Sequence, residues 1–138
     1  MSAGDLLSDR LRDRGFRVTM QRRAVFDAVV ALGHGTPESI LRKAQEVDAT
    51  LNLSTVYRNL EVLEDIDLVR HAHLGHGSPT YHVAHEHRHL HLVCSVCNSI
   101  VEVPVETADS LVELLADRHQ FAVDIDHFAI QGRCAQCR

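Results

Sequence analysis

The stretch "STVYRNLEVLEDIDLVRHAHLGHGSPTYHV", residues 54–83, reads as a helix followed by a hairpin. Ser54 can cap the helix, and Val56, Leu60 and Leu63 recur at helical spacing. "VRHAHL" and "PTYHV" then read as two strands joined by the Gly-rich turn "GHGS". Upstream lie three more helical stretches. "DLLSDRLRDRG" places apolar residues at 6, 7 and 11 and stops at Gly15. "TMQRRAVFDAVVAL", 19–32, has Thr19 as N-cap, and "TPESILRKAQEV", 36–47, has Thr36 as N-cap with Pro37 at the first helical position. Helices followed by a hairpin predict the winged-helix variant of the helix-turn-helix.

Beyond Val83 the composition changes. Residues 1–83 carry ten Arg/Lys and eleven Asp/Glu, a net of −1; residues 84–138 carry four and eight, a net of −4. The downstream part reads strand (89–94), strand (99–103), helix (105–118), strand (123–131). The sequence therefore predicts an α+β protein of two small domains: a winged helix over 1–83 and an α/β unit over 84–138. The overall charge of −5 argues weakly against nucleic acid, yet "RLRDRGFRVTMQRR", 10–23, holds six Arg against one Asp. No apolar run approaches the ~20 residues of a membrane span and no signal-peptide pattern opens the chain, so the expectation is a cytoplasmic protein with no membrane partner. In that compartment four Cys point to metal rather than to disulfides.

The cysteines form two Cys-x-x-Cys pairs, Cys94/Cys97 and Cys134/Cys137. Each pair sets two thiolates on a tight turn, and four thiolates make the closed tetrahedral shell of structural Zn²⁺. A redox dithiol or unbound thiols are the alternative. Ahead of the first pair, "HVAHEHRHLH" (82–91) has five His in ten positions. In a strand, residues i and i+2 share a face, so His87, His89 and His91 would line one side. His71 and His73 would do the same in "RHAHL". A lone His such as His76, His85 or His119 is more simply an ordinary surface or core residue.

"GFRVTMQRRAVFDAV", "STVYRNLEVLEDIDLV", "HLHLVCSVC" and "GRCAQC" together resemble the ferric uptake regulator family of metal-dependent bacterial repressors, over roughly residues 8–138. The resemblance implies an N-terminal DNA-binding winged helix, a C-terminal dimerisation domain and a regulatory metal at their junction. It implies a recognition helix over 54–65, with Ser54, Thr55, Tyr57 and Arg58 near base edges, whereas packing is the plain alternative for Tyr57. Arg12, Arg14, Arg17, Arg22 and Arg23 would contact phosphates, although any single one could be an ordinary solvated Arg. The partners implied are a second copy of the chain and a double-stranded DNA operator with inverted-repeat symmetry.

Departures from the family pattern refine the metal. His34, His89 and His91 match a common sensory site, with His82 as a further candidate. Many members build a second site from a His and an Asp at the positions of Arg88 and Leu90, and neither residue can serve here. "HAHLGHG" and "DHFAIQGRC" are similar to the nickel uptake regulator branch. That likeness implies a nickel-specific Ni²⁺ site of His71, His73 and His127, and a second, less selective site of His34, His87, His89 and His91 that Zn²⁺ could also fill. Imidazole by itself suits Ni, Zn, Cu and Fe. Ligands on both sides of residues 82–87 would let a bound ion favour a closed arrangement.

A zinc-, iron/manganese- or peroxide-responsive repressor of the same family is the near alternative. A peroxide sensor would use carboxylates as well as His, and the His-only set argues against it. A His-rich storage or delivery protein would leave the winged helix and the Arg cluster unused. No HExxH or Ser/His/Asp constellation appears, so no catalytic residues and no enzyme activity are expected.

Overall fold

The computed structural model describes residues 2–74, 77–84, 89–125 and 128–138. His76, His85, His87 and His127, with the roles expected of the last two, lie outside the described residues. The chain divides into two compact units, Met1–His71 with Pro79–Ala84, and Ala72–Ser78 with His85–Arg138.

The first unit holds α1 (Ala3–Asp13), α2 (Met20–Leu32), α3 (Pro37–Ala44) and α4 (Leu53–Asp65), followed by β1 (Val69–Ala72) and β2 (Thr80–Val83). Thr19 and Thr36 cap α2 and α3 as expected, through bonds from the Arg22 and Ser39 amides. Helix α1 starts earlier than the sequence suggested, because Ser2 and Asp5 form a capping box. Helix α4 is capped by Asn52 rather than Ser54: its Oδ1 accepts from the Thr55 amide at 2.9 Å. Asn is as good an N-cap as Ser, and its position puts Ser54 inside the first turn. Helix α3 ends at Ala44, and residues 45–47 form turns instead of helix.

Two helix ends close with the same device. After α1, Phe16 N–H donates to Leu11 O and Gly15 N–H to Arg12 O, with Gly15 at φ 80°. After α4, Leu68 N–H donates to Leu63 O and Asp67 N–H to Glu64 O, with Asp67 at φ 61°. This is the Schellman pattern, and in the second instance Leu63 and Leu68 supply its buried apolar contact. Arg10 and Arg14 add to it, donating to the carbonyls of Ile66 (2.8 Å) and Asp65 (3.1 Å).

The core of this unit gathers Leu7 and Leu11, Val25, Phe26 and Val29, Ile40, then Val56, Leu60 and Leu63, with Val69 and Tyr81 from the hairpin. Leu60 is fully buried. Leu60→Ala is expected to lower stability by ~2–5 kcal/mol, read from urea unfolding, because the deleted carbons leave a cavity between helices. A loss under ~1 kcal/mol would mean that α4 does not anchor this core.

The second unit is a sheet of order β4-β3-β5, with β3 (His89–Cys94) at its centre, β4 (Ile100–Pro104) antiparallel and β5 (Ala129–Gly132) parallel. The expected helix over 105–118 is a 3₁₀ turn, Val105–Ala108, followed by α5, Asp109–His119. The expected strand over 123–131 shortens to β5, paired with β3 from His91↔Ala129 to Cys94↔Gly132. None of α5 is buried, and Val101, Leu111, Leu114, Phe121 and Ile130 are exposed in the single chain. Among the described residues no helix is long and apolar enough to cross a membrane.

Candidate metal centres and nucleic-acid interface

The two Cys-x-x-Cys pairs meet. Cys94 ends β3, Cys134 and Cys137 follow β5, and the parallel β3–β5 register brings the two turns together. All four Sγ atoms lie within 4.8 Å of one another, and Cys97 and Cys134 are 3.8 Å apart. A tetrahedron with ~2.3 Å zinc–sulfur bonds has edges of ~3.8 Å, so the set fits a zinc ion. The cysteines are thiols rather than disulfides. The backbone amides of Cys97, Cys134 and Val96 hold the Cys94 thiol well below the usual cysteine range, to about 6. Hydrogen bonding from Ser99 lowers Cys97, whereas Cys134 pushes Cys137 up to about 12. Such a set shares protons unevenly until a cation replaces them.

In the first unit, the Gly35 and Tyr81 backbones bond reciprocally at 2.9 and 2.8 Å. A side chain at Gly35 would meet Leu32 and Ile40 at 2.9–3.0 Å and would have to displace them. The bridge aligns the neighbouring residues, and the rings of His34 and His82 stand 5.4 Å apart. Two of the expected sensory imidazoles are therefore adjacent.

In the second unit, His89 and His91 lie on β3, and His91 is buried. His91 faces Glu102 across the β3–β4 register, with Nε2 3.7 Å from Oε1. Glu102 went unremarked in the sequence. Only the closure of Cys94 on Ser99 sets the register that pairs 91 with 102.

His71 lies on β1, and His73 falls just past the strand, exposed. His71 Nδ1 is 2.8 Å from Glu64 Oε2, and its ring packs 5.6 Å from that of Tyr81. Burial first, and then the Glu64 charge, raise the Tyr81 hydroxyl to about 12, so it stays protonated. Glu64 was also missed by sequence reasoning, since only the turn at Asp67 folds β1 back against the end of α4.

Ser54, Tyr57 and Arg58 all point outward from α4, so Tyr57 is not a core residue. Thr55 is half-buried, and its hydroxyl donates to the Asn52 cap at 3.1 Å. Arg12 and Arg17 are exposed. Arg23 donates to Ser8 Oγ at 3.1 Å. The remaining two guanidinium groups are engaged within the domain. Arg14 holds the end of α4 and lies 3.5 Å from Asp67; Arg22 donates to Arg17 O at 2.8 Å and covers the Phe16 ring.

Comparison with known proteins supplies the family and the fold. The profile of the ferric uptake regulator family matches residues 13–130. The ferric uptake regulation protein of Campylobacter upsaliensis is 29% identical over 130 residues, covering 92% of this chain and 83% of that protein. The peroxide-responsive repressor PerR of Staphylococcus saprophyticus is 29% identical over 129 residues, covering 93% and 86%. The solved ferric uptake regulator of Helicobacter pylori, described as having three functional metal-binding sites, superposes with a TM-score of 0.76 at 22% identity, over 96% of this chain and 89% of that one. With a winged helix, a thiol cluster and paired imidazoles in place, the chain belongs to the ferric uptake regulator family of metal-responsive, DNA-binding transcription regulators, which are not enzymes.

Proposed function

We propose that this protein is a cytoplasmic, nickel-responsive repressor that binds an inverted-repeat DNA operator as a homodimer. The observation that carries it is the division of donor chemistry. The four thiols converge on one cluster, which leaves imidazoles as the regulatory nitrogen donors, and imidazole accepts Ni²⁺ where thiolate would favour Zn²⁺ or Cu(I). Cys94, Cys97, Cys134 and Cys137 would hold structural Zn²⁺. By the family resemblance, His71, His73 and His127 would hold Ni²⁺, and His34, His87, His89 and His91, with His82, a second and less selective ion. A bound cation supplies charge and coordination only, favouring chain arrangements in which all of its ligands reach it.

The protein's own residues do the rest. Outward-facing Ser54, Tyr57 and Arg58 would meet base edges in the major groove, and Arg12, Arg17 and Arg23 would contact phosphates. The exposed apolar residues of α5 and the sheet would be covered by the second copy. Arg58→Ala is expected to weaken operator binding by ~1–3 kcal/mol and random DNA less. Arg17→Ala should weaken both alike and flatten the salt dependence. Equal losses for both variants on both DNAs, by fluorescence anisotropy, would remove Arg58 from the readout.

Glu102 favours a second reading. A carboxylate 3.7 Å from His91 Nε2 offers a mixed nitrogen–oxygen donor set, which suits iron or manganese and takes away the His-only ground against a peroxide sensor. Metal analysis of protein isolated without chelator from cells given nickel, iron or manganese separates the two. Nickel bound beyond about one zinc per chain supports the nickel regulator; iron or manganese in nickel-fed cells supports the other.

A further inference from the structure

We infer that Glu64, on the last turn of α4, is a positioning residue that presents His71 to a divalent cation and ties that cation to the DNA-facing helix. This rests on the reading of His71 as a ligand. The pair is close and partly shielded: Nδ1 to Oε2 is 2.8 Å, and the side chains are 31% and 29% exposed. An ionised carboxylate only accepts hydrogen bonds, so in the neutral imidazole Nδ1 carries the proton and Nε2 the lone pair. Metal-binding histidines are commonly held this way, donating their second ring N–H to a carboxylate that fixes orientation and raises ligand basicity.

Two further contacts limit the freedom of the pair. Tyr81 lies against the imidazole at 5.6 Å with a 43° tilt, restricting rotation of the ring. The closed turn at Asp67 bonds back to the Glu64 carbonyl at 3.0 Å, fixing where β1 leaves α4. Glu64 shares one continuous helix with Tyr57 and Arg58. Arg58 is six residues away, about 9 Å along the axis at ~1.5 Å per residue. A cation held by His71 would therefore bear on the helix that reads DNA through a single hydrogen bond, and Glu64 would make the metal's presence felt at Arg58. An ordinary surface ion pair would do neither.

The test uses the full-length, zinc-containing and otherwise metal-free protein with Ni²⁺ as probe, and compares Glu64→Ala, Glu64→Gln and His71→Ala. Long-range ¹H–¹⁵N spectra of the imidazoles should show His71 protonated at Nδ1 in the parent and shifted towards the Nε2-protonated form in Glu64→Ala. Nickel affinity, by competition with a chromophoric chelator, should fall about 10–100-fold in Glu64→Ala. Glu64→Gln, which keeps an acceptor oxygen without the charge, should lose less and serves as the folded control. Weakened nickel binding in His71→Ala with parent-like affinity in both Glu64 variants would overturn the role of Glu64 alone. Parent-like affinity in all three would overturn the assignment of His71 as a ligand. A parent spectrum with His71 protonated at Nε2 would also contradict the inference.

Discussion

Serine in place of Cys94 is expected to release about one zinc ion per chain and to lower the melting temperature by ~10 °C or more. Cys94 is the most buried of the four thiols. It ends the central strand, where both neighbours attach: its N–H donates to Ser99 O at 3.0 Å, and it pairs with Gly132 of β5. The Cys134 amide points at its sulfur at 3.4 Å. Much of this small sheet's outer face is exposed in the single chain, so a metal that closes the β3 and β5 ends together contributes directly to folding. Cys97→Ser, at an exposed position, should lose the same zinc with less damage to packing. Mass-spectrometric metal analysis and thermal melts check both, with sedimentation reporting the dimer. A Cys94 variant that keeps its zinc and its melting temperature would show that the thiols are not the staple.

Alanine at His73 is expected to abolish nickel-dependent DNA retention while leaving zinc bound to the thiols. His73 lies two residues beyond His71, the spacing that sends two side chains to one side of an extended segment. Its side chain is exposed, and a thermal melt of the variant separates any cost to the fold from the loss of metal. Removing one of three imidazoles should raise the nickel concentration for half-maximal operator binding by ~100-fold or more, a difference of about 2.7 kcal/mol. Because a bound cation displaces protons from its ligands, nickel binding should also weaken as pH falls. Full nickel response in the His73 variant would move the nickel site elsewhere.

Local signals in the sequence were enough for much of this structure. Thr19, Thr36 and Pro37 start their helices as their chemistry dictates, and Gly15 ends the first. The Cys-x-x-Cys pairs announced their cluster, because two residues of spacing fix each turn regardless of context. Elsewhere a competing residue won. Asn52 took the cap from Ser54, and Asp67 occupied a left-handed position that glycine usually marks. The glutamates at 64 and 102 were not legible as site residues. Each looks like a solvated charge until the α4–β1 turn or the β3–β4 register sets it beside an imidazole. The Arg cluster was legible as basic but not as divided. Arg10 and Arg14 fasten the end of α4 and Arg22 covers Phe16, while Arg12 and Arg17 face solvent. Partner choice among arginines depends on which carbonyls tertiary packing leaves open, and periodicity does not carry that.

The most direct measurement titrates the zinc-containing, otherwise metal-free protein against its operator, selected from random duplexes, with Ni²⁺, Zn²⁺, Mn²⁺ or Fe²⁺ in separate anaerobic series read by fluorescence anisotropy. Nickel should drive specific binding at a concentration at least ~10-fold below that of the other metals. Binding of equal strength with no added metal, or a response to iron or manganese but not to nickel, would contradict a nickel-responsive repressor.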